Sequence, residues 1–191
     1  MNDVTESPSP VDAYRAWLAA DDSVVSGRGL DAIVIGATLG TPKRTWILPG
    51  KRERGCAILR GANPDALATA RPYRVIPPGD SPAIRALVGV GLAMVGEPAL
   101  VFLGSGSVSY GAFHEALQLA TAHVAPVIFV VTWYVGAGPF APQLTTSPAA
   151  LARSLGIAGV EVDGNDEAAV RNAVAAAAGP TVIEARLSGR A

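Results

Sequence analysis

The chain has 191 residues, half of them hydrophobic and 16% charged, with a net charge of −1 at neutral pH. That balance excludes the basic footprint of a nucleic-acid-binding protein, and the single cysteine, Cys56, excludes an internal disulfide. No apolar run is long enough for a membrane-spanning helix. A mean hydropathy of +0.34 implies deep burial of apolar surface, within one core or against a partner.

Met1–Pro10 is acidic and polar, unlike a signal peptide, and reads as a disordered lead before one domain over residues 11–191. With one cysteine and no leader, a cytoplasmic location is expected. Val11–Asp21 places Val11, Tyr14, Trp17 and Leu18 on one side of a short helix. Ala32–Ile35 is apolar and β-rich and reads as a strand, ended by Gly36 and Gly40. Trp46–Leu48 predicts another strand, followed by the charged run Lys51-Arg52-Glu53-Arg54. Such a run is ordinarily a solvated face; the sharper reading has Arg52 or Arg54 meeting a phosphate. Asn63-Pro64-Asp65 marks a helix start leading through Ala70, and Arg71–Pro82 reads as an extended connection. Asp80-Ser81-Pro82 caps a helix over Pro82–Val95, in which Gly89 and Gly91 imply close packing against another backbone.

The stretch from Pro98 to Tyr134 organises the rest. It predicts a strand (Ala99–Leu103), a tight turn (Gly104-Ser105-Gly106-Ser107), a helix (Ser109–Val124) and a second strand (Val127–Thr132). Phe113, Ala116, Leu117, Ala120 and Val124 recur at helical spacing. The flanking runs have the continuous apolar character of strands buried on both faces. Strand, glycine turn and helix in that order place main-chain N–H groups at the carboxyl end of a sheet, where α/β proteins bind anions. Beyond it, Tyr134–Thr146 reads as a loop, Ser147-Pro148 caps a helix ending at Gly156, and Val160–Val162 is a strand. Asp163–Asp166 is a turn and cap, Glu167–Ala178 a helix, and Thr181–Ala185 the final strand. The alternation predicts an α/β fold, a doubly wound and mostly parallel sheet with helices on both faces.

Several segments together resemble the alpha subunit of thiamine diphosphate-dependent 2-oxo acid dehydrogenases. They are Gly104-x-Gly106, Gly111-x-Phe113-His114-Glu115-Ala116-Leu117 and Pro126-Val-Ile-Phe-Val, then Gly159-Val-Glu-Val-Asp163-Gly164-Asn165-Asp166 and Gly179-Pro-Thr-Val-Ile-Glu184-Ala. More loosely, Arg54-Gly-Cys-Ala-Ile-Leu-Arg60-Gly resembles an upstream family segment. The resemblance implies the thiamine diphosphate-binding fold in its pyrophosphate-type domain, with thiamine diphosphate and magnesium as cofactors.

It also implies where those would sit. The family has a Gly-Asp-Gly turn followed, after the next strand, by an Asn-Asn pair, and these hold the magnesium that bridges protein and diphosphate. Here Ser105 stands at the aspartate position, and Trp133 and Tyr134 align with the asparagines. Magnesium asks for hard oxygen ligands in near-octahedral array, and an indole offers only a donor. The cofactor-binding positions Gly104, Ser105, Gly106, Ser107, Trp133 and Tyr134 thus read as a degenerate motif without a metal site, and classical cofactor binding is expected to be lost. His114 and Glu115 are further candidates, as an acid–base pair or as hydrogen-bonding groups in an interface. The family's alpha subunits are longer and pair with beta subunits, so a homo-oligomer or a beta-type partner is expected, with neither nucleic acid nor membrane. Three functions stay open: a divergent alpha-type subunit, a noncatalytic scaffold or regulator, and a binder or enzyme for another small ligand.

Overall fold

The computed structural model describes residues 8–21, 29–79, 81–135 and 144–188. Most of the expected lead and most of the Tyr134–Thr146 loop lie outside them. Five strands pair in parallel in the order β1 (Trp46–Leu48), β2 (Ala99–Gly104), β3 (Val127–Val135), β5 (Thr181–Ser188), β4 (Ala158–Asp163). The predicted parallel α/β architecture is what forms.

Alternate residues of β2 and β3 feed two separate cores, as a two-residue side-chain period requires. Leu100, Phe102 and Val130 pack with α1 (Pro10–Ala20), α2 (Asp31–Gly40), α3 (Cys56–Leu59) and α7 (Glu167–Ala176). Val101, Leu103, Phe129 and Val131 pack on the other face with α4 (Ile84–Met94), α5 (Gly111–Ala122) and α6 (Pro148–Ser154). Two helix starts follow the capping chemistry read from sequence, whereas α4 begins at Ile84 behind Ala83 with no side-chain cap, not at the expected Asp80-Ser81-Pro82. Ser147 Oγ accepts from Ala150 N at 3.2 Å, and Asp166 Oδ1 accepts from Ala168 N at 2.9 Å and Ala169 N at 3.0 Å.

Two expected elements differ. Ala32–Ile35 is not a strand; it lies inside α2. Its β-branched residues favour extended backbone in isolation, but Ile33, Val34, Ile35 and Ala37 are all buried as one helix. Gly36 does not end the element, and Gly40 is its last residue. They stand one helical turn apart where α7 crosses: a Cβ on Gly36 would lie 2.5 Å from the Glu167 carbonyl oxygen, and one on Gly40 2.6 Å from that of Arg171. Contact with α7 outweighs the propensity cost of the two glycines. After Asn63, the chain forms short 3₁₀ turns, Pro64–Thr69 with a kink at Ala66 and then Arg71–Tyr73, in place of an α-helix and a wholly extended connection. Val75 then bridges Ile47 in parallel and covers the outer edge of β1.

Gly89 of α4 lies against β2, with the Val101 side chain where its own Cβ would be, whereas Gly91 faces open space. The close approach expected of this pair thus belongs to Gly89 and meets a side chain. Ile84 and Val88 on the outward side of α4, and Val95 at its C-cap, are exposed.

The α2–α7 contact yields a test. Gly36→Ala and Gly40→Ala are each expected to destabilise the fold by about 1–3 kcal/mol, the cost of overpacking against main chain. Urea titration should show a lower midpoint with an unchanged slope.

Candidate functional site

A cavity of about 310 Å³ opens at the carboxyl ends of β1, β2 and β3. This is the end of a parallel sheet at which α/β proteins place ligands. Three segments wall it: Gly50–Glu53 following β1, Gly104–Ser107 following β2, and Thr132 with Tyr134 from β3. Arg85, in the first turn of α4, closes the fourth side with Gly79 and Pro82. No atom lies within 4 Å of where a Cβ on Gly104 or Gly106 would project, so main chain is bare along this turn.

The charges are unevenly arranged. Among the described residues, Lys51, Arg52 and Arg85 line the cavity against one carboxylate, Glu53. Arg52 Nη1 donates to the Tyr134 hydroxyl at 2.9 Å, tying the charged run to the end of β3. Arg85 Nε and Nη1 are buried and, among the described residues, have no hydrogen-bond partner. Gly50 lies under this guanidinium, with Nη1 2.8 Å from the position a Cβ would take. Burial weakens Arg85's hold on its proton, an effect countered by the neighbouring Glu53. Burial likewise raises the Glu53 pKa, against the pull of Arg85 and then Arg52. Each charge is the other's main compensation, yet neither Nε nor Nη1 of Arg85 donates to the carboxylate.

The positions singled out from sequence divide. Gly104, Ser105, Gly106, Ser107, Tyr134 and Arg52 come together around the cavity. Trp133 does not line it. β3 runs three residues further than expected, to Val135, and strand alternation turns Trp133 into the core beside α4, α5 and α6, where it is 7% exposed. Arg54 is also elsewhere: it pairs with Asp21 at 2.7 Å and lies 5.1 Å over the Trp17 ring, joining the charged run to α1. His114 and Glu115 sit on α5 outside the cavity lining, with His114 Nδ1 3.2 Å from the Tyr110 carbonyl oxygen. Glu53, Arg85 and Thr132 are cavity residues that no motif marked. Arg85 did leave a signal, as the one charged residue in the apolar helix Ile84–Met94.

Residues 88–185, just over half of the chain, match the dehydrogenase E1 component family. The 3-methyl-2-oxobutanoate dehydrogenase subunit alpha of Mycobacterium tuberculosis is 31% identical over 83% of this chain and 50% of its own length. The pyruvate dehydrogenase E1 component subunit alpha of Bacillus subtilis is 31% identical over 82% of this chain and 49% of its own. This chain belongs to the dehydrogenase E1 component family.

Its resemblance is to alpha subunits, and it spans about half the length of these two relatives. The fold is shared more widely. Benzoylformate decarboxylase from Polynucleobacter necessarius superposes with a TM-score of 0.58 at 15% identity, over 84% of this chain and 33% of that one. Within the E1 family, thiamine diphosphate is the implied cofactor, and the cavity lies where the resemblance put the turn that meets its diphosphate. Among the described residues no helix is long and apolar enough to cross a membrane.

The split between neighbours on β3 is measurable. Trp133→Asn is expected to destabilise by about 3–5 kcal/mol, since it empties core volume and buries an amide. Tyr134→Phe loses one partly buried hydrogen bond with Arg52 and is expected to cost about 1 kcal/mol. Thermal melts of the two variants should separate clearly.

Proposed function

We propose that this chain is a divergent alpha-type half-site of the E1 class that does not bind magnesium thiamine diphosphate in the classical way by itself. In this reading it acts with a beta-type subunit on 2-oxo acids, as an oxidoreductase or decarboxylase. A cytoplasmic setting goes with this reading.

The observation that carries the reading is the Arg85 guanidinium on the cavity wall, whose buried Nε and Nη1 have no hydrogen-bond partner among the described residues. A divalent ion placed beside it meets like charge in a poorly screened setting, where such repulsion is strong. The remaining oxygen donors suit magnesium badly. Ser105 offers a neutral hydroxyl on the wall, and the Tyr134 hydroxyl already accepts from Arg52. Glu53 serves as counter-charge to Arg85 and Arg52. When bound in this family, thiamine diphosphate supplies the carbanion chemistry of decarboxylation. This chain's own residues account for holding an anionic group at the cavity floor and for nothing beyond that.

A second reading, a noncatalytic scaffold or regulator forming a homo-oligomer, is favoured by a different observation. His114 and Glu115, the acid–base candidates, sit outside the cavity.

Isothermal titration of the chain with thiamine diphosphate and magnesium tests the main reading. No saturable binding is expected from the chain alone, and tight magnesium-dependent binding overturns the reading. Ser105→Asp with Tyr134→Asn, leaving Trp133 in its core, is expected to restore magnesium-dependent binding beside a beta-type partner only when Arg85→Gln is added to remove the repelling charge. Native mass spectrometry of the protein from its own host separates the two readings: a heteromer supports the alpha role, a homo-oligomer the scaffold.

A further inference from the structure

We propose that a basic face at the amino end of the sheet, built by Lys43, Arg44, Arg60, Arg71 and Tyr73, docks an acidic segment of another protein. The inference rests on neither functional reading above, because this face lies at the opposite end of the strands from the cavity.

Its first support is where the charge is concentrated. Lys43–Arg74 holds eight of the fifteen Lys and Arg residues and two of the sixteen Asp and Glu. The surplus there is six, so the remainder of the chain carries −7 against −1 for the whole. Half of these cations are engaged elsewhere: Lys51 and Arg52 line the cavity, Arg54 pairs with Asp21, and Arg74 with Glu97. Of the two acidic residues, Glu53 is in the cavity wall and Asp65 stands on the 3₁₀ turn after Asn63. Lys43, Arg44, Arg60 and Arg71 have no acidic partner among the described residues.

The second support is geometry. The bridge between Ile47 and Val75 is parallel, so the residues leading into each arrive from the same end of the sheet. Those residues are Lys43-Arg44 on one segment and Arg71–Tyr73 on the other. Arg60 is fastened to the first of them: Nη1 donates to the Lys43 carbonyl oxygen at 2.9 Å and Nη2 to that of Pro42 at 3.2 Å. The Tyr73 ring comes within 3.7 Å of where a Cβ on Gly61 would stand, next to Arg60, and gives the face an exposed aromatic body. Two neutral carbonyls orient the Arg60 guanidinium without cancelling its charge, and burial weakens its hold on its proton. A half-buried cation without a counter-charge favours the arrival of a carboxylate.

The third support selects the occupant by charge complementarity. A nucleic acid or an anionic bilayer would extend beyond this face and meet a remainder that is net negative. A short run of Asp and Glu meets the local cations alone, since charges further off than about 8 Å are largely screened.

Fluorescence anisotropy of a labelled deca-glutamate peptide with the full chain provides the test, with a single-stranded DNA oligonucleotide and phosphatidylserine vesicles as competitors. Saturable peptide binding at low ionic strength is expected, weakening as salt is raised. Lys43→Glu with Arg44→Glu is expected to weaken it by about ten-fold or more, as two attractions become repulsions. Arg71→Glu, on the other segment, should weaken it as well. Arg15→Glu makes the same change in net charge on α1, away from this face, and is expected to alter binding by less than about two-fold. Thermal melts check that the variants fold. Absence of saturable peptide binding overturns the inference. An equal loss with Arg15→Glu also overturns it, since the response would then be to net charge alone. Tighter binding of the oligonucleotide or the vesicles than of the peptide overturns the choice of an acidic protein segment. The cofactor titrations above read the cavity and stand or fall separately.

Discussion

Everything at the carboxyl end of this sheet depends on the fact that β2 and β3 are buried on both faces. A strand with a core on each side cannot choose freely where its residues point: odd positions of β3 feed one core and even positions the other. Phe129, Val131 and Trp133 therefore fall in line beside α4, α5 and α6. Val130 and Tyr134 go to the opposite side, and Tyr134 ends up in reach of Arg52. Moving Trp133 into the cavity would demand a one-residue slip, which would turn every other β3 side chain to the wrong core. The position of a candidate site residue is thus decided several residues upstream of it.

The charges around the cavity follow a different logic. Arg54, two residues from Arg52, is absorbed by Asp21 and Trp17 and fixes the segment after β1 to α1. With that anchor set, Arg52 and Glu53 are presented to the cavity, opposite Arg85 from another helix. Burial works against the ionised forms of both Glu53 and Arg85, and their mutual proximity is the first effect that opposes it, with Arg52 also acting on Glu53. Such a pairing without direct bonding is a poor source of stability.

Much of the architecture is legible in the sequence because its signals are local. The apolar runs of β2 and β3, the Ser147 and Asp166 caps and the Gly104–Ser107 turn all point to one fold. The strand read at Ala32–Ile35 fails for a reason no local signal contains: Gly36 and Gly40 serve α7, more than 120 residues later in the chain. The candidate site was legible where it lies on a turn and illegible where it depends on tertiary approach. Gly104, Ser105 and Arg52 belong to the first kind. Arg85 belongs to the second, because a lone cation in an apolar helix looks like a solvent-facing residue until a cavity is shown in front of it. Trp133 misleads in the opposite sense, being adjacent in sequence to a cavity residue and separated from it by the thickness of the sheet.

The two margins of the sheet are unequal. At β1, Val75 lies along the strand and Ile76 N donates to the Ile47 carbonyl oxygen at 2.9 Å, so this margin is already covered by the chain itself. At β4 the margin is bordered by charge: Glu161 pairs with Arg153 at 3.0 Å and with Arg186 at 2.8 Å. Charged side chains of this kind discourage another strand from joining. Growth of the sheet from chain to chain is thereby blocked by covalent continuity on one side and by ionic fencing on the other. Among the described residues, uncovered apolar surface lies instead on a helical flank, where Ile84 and Val88 share the helix that carries Arg85 and Val95 stands at its C-cap.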